Sequence, residues 1–150
     1  MDRRSVLKIT GTLSAAAAAA MAFPRMVFAA YNQKAFKNPK VEDSLNELFG
    51  GNATTPSGDI KLKAPDIAEN GAVVPIEIST SMKADKIAFM VKENPNPLAI
   101  VADIPAGTEP MVKTRVRMGK TTQVTAVVSS DGKLYTASKE VKVTIGGCGG

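Results

Sequence analysis

Two periodicities divide the chain. Over "NPKVEDSLNELFGG", Asn38 to Gly51, apolar residues recur at Val41, Leu45, Leu48 and Phe49. That three-to-four spacing is the stripe of an amphipathic helix. Asn38 suits the cap, Pro39 the first position and Glu42 and Asp43 the positive end, while Gly50 and Gly51 stop the helix. The stripe predicts a short helix packed on the body of the domain or on a partner. After "NATTPSG" the period changes to two. Ile60 and Leu62 alternate with lysines, then Val74, Ile76 and Ile78 alternate through "AVVPIEIST". Pro75 inside that run predicts an edge strand or a bulge, because proline has no N–H for a ladder.

The remaining strands are denser. "DKIAFMVKE" and "PLAIVADI" flank the turn "NPNP". "PMVKTRVRM" puts Val112, Thr114, Val116 and Met118 on one face and Lys113, Arg115 and Arg117 on the other. "TTQVTAVVSS" leads into "SSDGK", where Asp131-Gly132 is a hairpin signal, and "LYTAS" and "KEVKVTI" complete the set. About eight short strands behind one helix predict an all-β fold over residues 30–145. The architecture expected is an immunoglobulin-like antiparallel β-sandwich, without the antibody hallmarks, since there is no tryptophan and no cysteine pair. No internal repeat is visible.

The N-terminal segment follows a different rule. "MDRRSVLKIT" sets Arg3 and Arg4 side by side, an alanine-rich apolar run follows from about Ile9 to Phe23, and "PRMVFAA" closes it with small residues. This order of charge, apolar run and small residues predicts a secretory signal. The paired arginines point to twin-arginine (Tat) export in particular, with the cut after Ala29, or after Ala30, and a periplasmic mature protein. A run of roughly 15 alanine-rich residues is short and weak for a membrane span. Removal of residues 1–29 takes Arg3, Arg4, Lys8, Arg25 and Asp2, so a net charge of +5 falls to +2. That charge is too small, and the aromatic residues are too few, for a nucleic-acid-binding surface.

Candidate chemistry concentrates at the other end. The last five residues are "GGCGG" and hold the only cysteine, Cys148; the chain has no histidine. Val141, Val143 and Ile145 alternate with Lys142 and Thr144, which predicts sheet up to Ile145. Gly146, Gly147, Gly149 and Gly150 then bury nothing and have the greatest freedom to lose on ordering, so residues 146–150 are expected to form a flexible arm. Fully extended, such an arm reaches roughly 17 Å.

An unassisted thiol titrates near pH 8.5 and is only a few per cent thiolate at neutral pH. At about 7 Å in water the Gly150 carboxylate would disfavour the thiolate by roughly half a kcal/mol. The sulfur is thus expected to be accessible and not activated. It suits a passenger site, carried on a slim backbone into another enzyme that supplies the chemistry, with no catalytic residue, cofactor or metal of its own. A leftover cysteine in an exported chain equally suits an inter-chain disulfide, and the residues alone leave carrier and linker level.

The terminal "GGCGG" after "KEVKVTI", with "NPNPLAIVADIP", "TRVRM" and "DGKLY" upstream and the paired arginines in front, resembles the SoxY family. These are sulfur carriers of the bacterial thiosulfate-oxidising (Sox) system. The resemblance implies a β-sandwich paired with a SoxZ subunit as a heterodimer, exported on one signal. It implies that Cys148 is the site of covalent substrate attachment, with Gly146, Gly147, Gly149 and Gly150 as the arm. It further implies three enzymes acting on the adduct: a SoxXA haem enzyme that conjugates thiosulfate, a SoxB hydrolase that releases sulfate, and in some systems a SoxCD sulfane dehydrogenase.

Other readings fit less well. A Gly-Gly thiocarboxylate needs ATP for activation, which export removes, and leaves the cysteine superfluous. A copper site built from Cys148 and methionines would draw on Met82, Met90, Met111 and Met118, all in strand-like runs where methionine belongs to a core. Arg115 and Arg117 read as a solvated sheet face, with docking of acidic partners as the functional alternative. Lys139 and Lys142 are expected to be solvent-exposed.

Overall fold

The computed structural model describes residues 32–144. Two helices come first, α1 (Gln33–Lys37) and α2 (Val41–Phe49). The strands follow as β1 (Thr54–Pro56), β2 (Ile60–Lys63), β3 (Ile67–Ala68), β4 (Val74–Thr80), β5 (Lys86–Val91), β6 (Leu98–Asp103), β7 (Met111–Val116), β8 (Thr122–Ser130) and β9 (Lys133–Val143).

The helical region differs from the sequence expectation in two respects, the start of α2 and the presence of a second helix before it. Asn38 does not cap α2; it ends α1 in an extended conformation, and Lys40 stands at the N-cap of α2 without a side-chain cap bond. The cause is Pro39, which disfavours helical geometry at the residue before it. The short helix α1 is itself unforeseen. Asn32 caps it by accepting the Ala35 N–H at 3.1 Å and donates from Nδ2 to the Glu47 carbonyl at 2.9 Å, tying the two helices together. Gly50 ends α2 in the left-handed conformation, φ 74°, with its N–H on the Asn46 carbonyl at 2.8 Å.

The strands form two sheets. The larger runs β1-β9-β8-β5-β6, with β3 also on β9; the smaller runs β2-β4-β7. Between them lies the main core, which includes Val74, Ile76 and Ile78 of β4, Ile87, Phe89 and Val91 of β5, and Val124, Ala126 and Val128 of β8. The opposite face of β5 is buried too. Ala88 and Met90, with Leu98 and Val127, meet Ala35, Leu45, Val41, Leu48 and Phe49 of the helices. That second layer explains why β5 reads as an unbroken apolar run while β4 alternates. Each fully buried large side chain contributes roughly 1.5–3 kcal/mol by removal from water.

Four details refine the expected sandwich. "LYTAS" and "KEVKV" form one strand, since no glycine or proline interrupts them and β8 pairs with them from Thr122↔Val141 to Ser130↔Lys133. Asp131 and Gly132 turn that hairpin with φ 48° and 76°, the two left-handed residues of a type I′ turn. The segments β1 and β3 join β9 in parallel, because the chain leaves the large sheet for β2 and returns for β3. Pro75 lies in the middle strand of the small sheet, yet β2 pairs with β4 only from Thr80 to Glu77. Beyond Glu77 the β2 side of β4 is open, and the missing N–H interrupts no ladder there.

Candidate functional site

Cys148 and the arm glycines Gly146, Gly147, Gly149 and Gly150 lie outside the described residues, as do Ile145, Arg3, Arg4, Ala29 and Ala30. What the structure places is the stretch of β9 from which the tail departs. Its backbone is held from two sides. The Lys142 N–H donates to the Asp66 carbonyl at 2.9 Å and the Thr144 N–H to the Ala68 carbonyl at 3.2 Å. Between them, the Val143 N–H donates to Thr121 Oγ1 at 2.9 Å. Val141 is wholly buried, so the strand is also anchored through the core.

A close backbone approach reinforces this end. The Met118 N–H donates to the Gly71 carbonyl at 2.7 Å. A Cβ on Gly71 would run into the Met118 carbonyl oxygen and sit 2.9 Å from Val143 Cγ1. Glycine is needed there because the β3–β4 loop lies flat against β9 and the residues after β7.

Lys139 is not the freely solvated lysine expected. Its Nζ donates to the Ala64 carbonyl at 2.6 Å and pairs with Asp66 at 2.9 Å, and only 34% of its side chain is exposed. It fastens β9 to the segment crossing from β2 to β3. Lys139 shares the inner face of β9 with Val141 and stands opposite Val124, and its partner, 75 residues distant in sequence, is invisible without the topology. Lys142 is exposed, as expected.

The methionines weighed as copper ligands separate into different environments. Met90 lies under the helices and Met118 in the inter-sheet core, which Met82 flanks. Met111 is exposed at the start of β7. Among the described residues no three His, Cys, Asp or Glu side chains gather as a metal site.

The outer face of the small sheet carries the most organised electrostatics. Lys63, Glu77 and Lys113 stand directly opposite one another on β2, β4 and β7. Glu77 Oε1 takes Lys63 Nζ at 2.7 Å and Oε2 takes Lys113 Nζ at 3.1 Å. Hydrogen bonds from Lys63 and then Lys113 hold the Glu77 carboxyl below its ordinary value, against a smaller opposing effect of partial burial. Its side chain is 18% exposed. Arg115 projects from the same face opposite Pro75 and has no carboxylate partner among the described residues. Arg117 is exposed beyond the end of β7. A groove of ≈ 750 Å³ opens here, lined by Lys63, Pro65, Pro75, Glu77, Lys113 and Arg115 among others. Sequence alternation placed the lysines and arginines on a face but gave no sign that Glu77 joins two of them, since that depends on strand register.

The comparisons with known proteins bear on the whole of this frame. The family model for sulfur oxidation protein SoxY matches residues 45–148, a span that begins within α2 and ends on Cys148. Among solved structures, the sulfur carrier protein SoxY from Chlorobium limicola f thiosulfatophilum is similar at 41% sequence identity and a TM-score of 0.65. The match covers 71% of this chain and 97% of that one. No curated protein matches this chain. The matched span and the similarity in sequence and fold agree on one assignment: the chain belongs to the SoxY family of sulfur oxidation proteins.

Proposed function

We propose that this protein carries inorganic sulfur intermediates covalently on Cys148 and presents them to separate enzymes in the periplasm. The observation that carries the reading is the family match, which runs without a break from the helical layer to Cys148. The solved relative from Chlorobium limicola is a sulfur carrier protein. The chain has no histidine to act as a base toward the thiol, which suits a side chain that is acted upon.

The chemistry then falls to partners. In the first step the Cys148 thiol and thiosulfate are joined through a new S–S bond. One proton and two electrons leave, the electrons passing to a SoxXA-like haem enzyme. In the second, a SoxB-like hydrolase adds water to the terminal sulfonate; sulfate and a proton are released and a persulfide stays on Cys148. Where a SoxCD-like sulfane dehydrogenase is present, it oxidises that remaining sulfur. A SoxZ-like subunit completes the carrier as a heterodimer, and the arginine pair Arg3-Arg4 directs export. The protein itself supplies attachment, a firm root for the glycine arm and an absence of side chains beside the sulfur. A narrow active-site channel can therefore admit it.

Intact mass under non-reducing conditions tests this. After incubation with thiosulfate and the haem enzyme, the expected product is a thiosulfonate adduct confined to the peptide containing Cys148 and absent from Cys148→Ser. Recovery of disulfide-linked dimer alone, with no sulfur adduct, would overturn the carrier reading in favour of an inter-chain link.

A further inference from the structure

We infer that the outer face of the small sheet is a docking surface for an acidic, extended segment of a partner protein, received in the groove beside β4. The first argument is charge. Lys61 and Lys63 of β2 and Lys113 and Arg115 of β7 share this face with one acid, Glu77. Glu77 takes both Lys63 and Lys113 on its two oxygens and so fixes their ammonium groups in place. Arg115, two residues along β7 from Lys113, is left without an acid among the described residues. A guanidinium offers a planar fork of donors that matches a carboxylate in two-point contact.

The second argument is shape. After Lys63 the chain leaves the small sheet and crosses through Ala64 and Pro65 toward β9, so β4 has no strand on its β2 side alongside Pro75 and Ile76, while β7 pairs with its other side. The ≈ 750 Å³ groove is the space β2 vacates. An extended segment fits the line of the missing strand. Pro75 withholds one backbone N–H from it, so recognition rests on the cationic side chains and on the apolar flank formed by Ala64, Pro65 and Pro75.

The third argument is what the face lacks. Lys61, Lys63, Pro75, Glu77, Ser79, Met111, Lys113 and Arg115 include no aromatic side chain. Nucleic-acid surfaces add stacking platforms to positive charge, and membrane interfaces add tryptophan or tyrosine. Charge without aromatics fits the carboxylates of a protein. This inference stands apart from the carriage of sulfur, and its test involves no sulfur chemistry.

The probe is a decapeptide of alternating glutamate and threonine, titrated into the ¹⁵N-labelled chain while backbone amide shifts are followed. The expected shifts cluster at Lys63, Ile76, Glu77, Lys113 and Arg115 and fade as salt is raised toward about 0.15 M. Arg115→Glu should weaken binding about tenfold, and Arg115→Gln by less. Lys34→Glu, on the exposed side of α1, should leave binding unchanged. Both arginine variants sit at an exposed position, and their own amide spectra report whether they are folded. Shifts spread over the surface lysines and indifferent to Arg115→Glu would overturn the inference. So would tighter binding of phosphatidylglycerol vesicles or of oligothymidine than of the acidic peptide.

Discussion

Gly71→Ala isolates the contact that pins the end of β9. The backbone of Gly71 does not require glycine for its torsion angles, so the cost is steric. The new Cβ meets the Met118 carbonyl oxygen and lies 2.9 Å from Val143 Cγ1. Neither neighbour yields easily: Met118 is buried at 1% exposure and its N–H is bonded to Gly71 itself. Relief requires the β3–β4 loop to lift, which adds the loss of that hydrogen bond to the overpacking cost. Together these come to about 2–4 kcal/mol. At roughly 4 °C per kcal/mol for a domain of this size, the melting temperature should fall by about 8–16 °C. The control is Gly51→Ala, where a Cβ meets nothing within 4 Å and the smaller unfolded-state entropy should stabilise by up to about 1 kcal/mol. Urea denaturation and calorimetry measure both, and hydrogen exchange at the Thr144 amide reports whether the loss is local to the tail's root. Equal melting of the two variants would refute the close approach and, with it, the argument that this end of β9 is clamped.

Three further outcomes are expected. Cys148→Ser should change folding stability by no more than about 0.5 kcal/mol, the ordinary size for a substitution outside packed structure, while abolishing thiosulfate oxidation; a large drop in melting temperature would contradict it. Phe89→Ala should cost about 3–5 kcal/mol, because the ring is wholly buried between the sheets; a loss below 1 kcal/mol in urea denaturation, under the roughly 3 kcal/mol floor for such a truncation, would mean the core is loosely packed. Hydrogen bonds from Lys63 and then Lys113 hold the Glu77 carboxyl below the ordinary carboxylate range. Its contribution is complete above that ordinary range and is lost as pH falls through the lower folded value. Glu77→Gln should therefore be less stable than the parent near neutrality and equal to it in acid; parallel stability–pH curves would show that the ion pairs contribute nothing.

Local rules served well where the determinants are local. Val74, Ile76 and Ile78 alternate because one face of β4 meets the core and the other meets water, and all three are buried. Asp131-Gly132 adopts the two left-handed conformations its hairpin requires. The stripe Val41, Leu45, Leu48 and Phe49 turned inward on the large sheet. What escaped was set by distant pairing. "TTP" in β1 and "IA" in β3 are too short to show a period, and they exist as strands only because β9 lies beside them. Asn38 looked like a helix cap until Pro39 forced it into the extended state that ends α1. The site divides in the same way. Cys148 stood out by composition, whereas the Glu77 bridge and the Lys139 clamp required the register of strands far apart in sequence.

The root of the tail and the basic groove are also close to each other, for a reason built into the topology. Thr144 is hydrogen-bonded to Ala68, and Pro65 of the groove is three residues earlier in the chain. The two are therefore at most about 16 Å apart, three residues of chain plus one interstrand spacing. Cys148 is four residues past Thr144 and can travel no more than about 14 Å from it. An enzyme holding an acidic segment in the groove would thus sit beside the point from which the chain continues to Cys148. Charge-led contact speeds encounter more than it lengthens residence. The carrier role proposed above would need that balance: a face that finds each partner quickly and a fixed root at the end of β9.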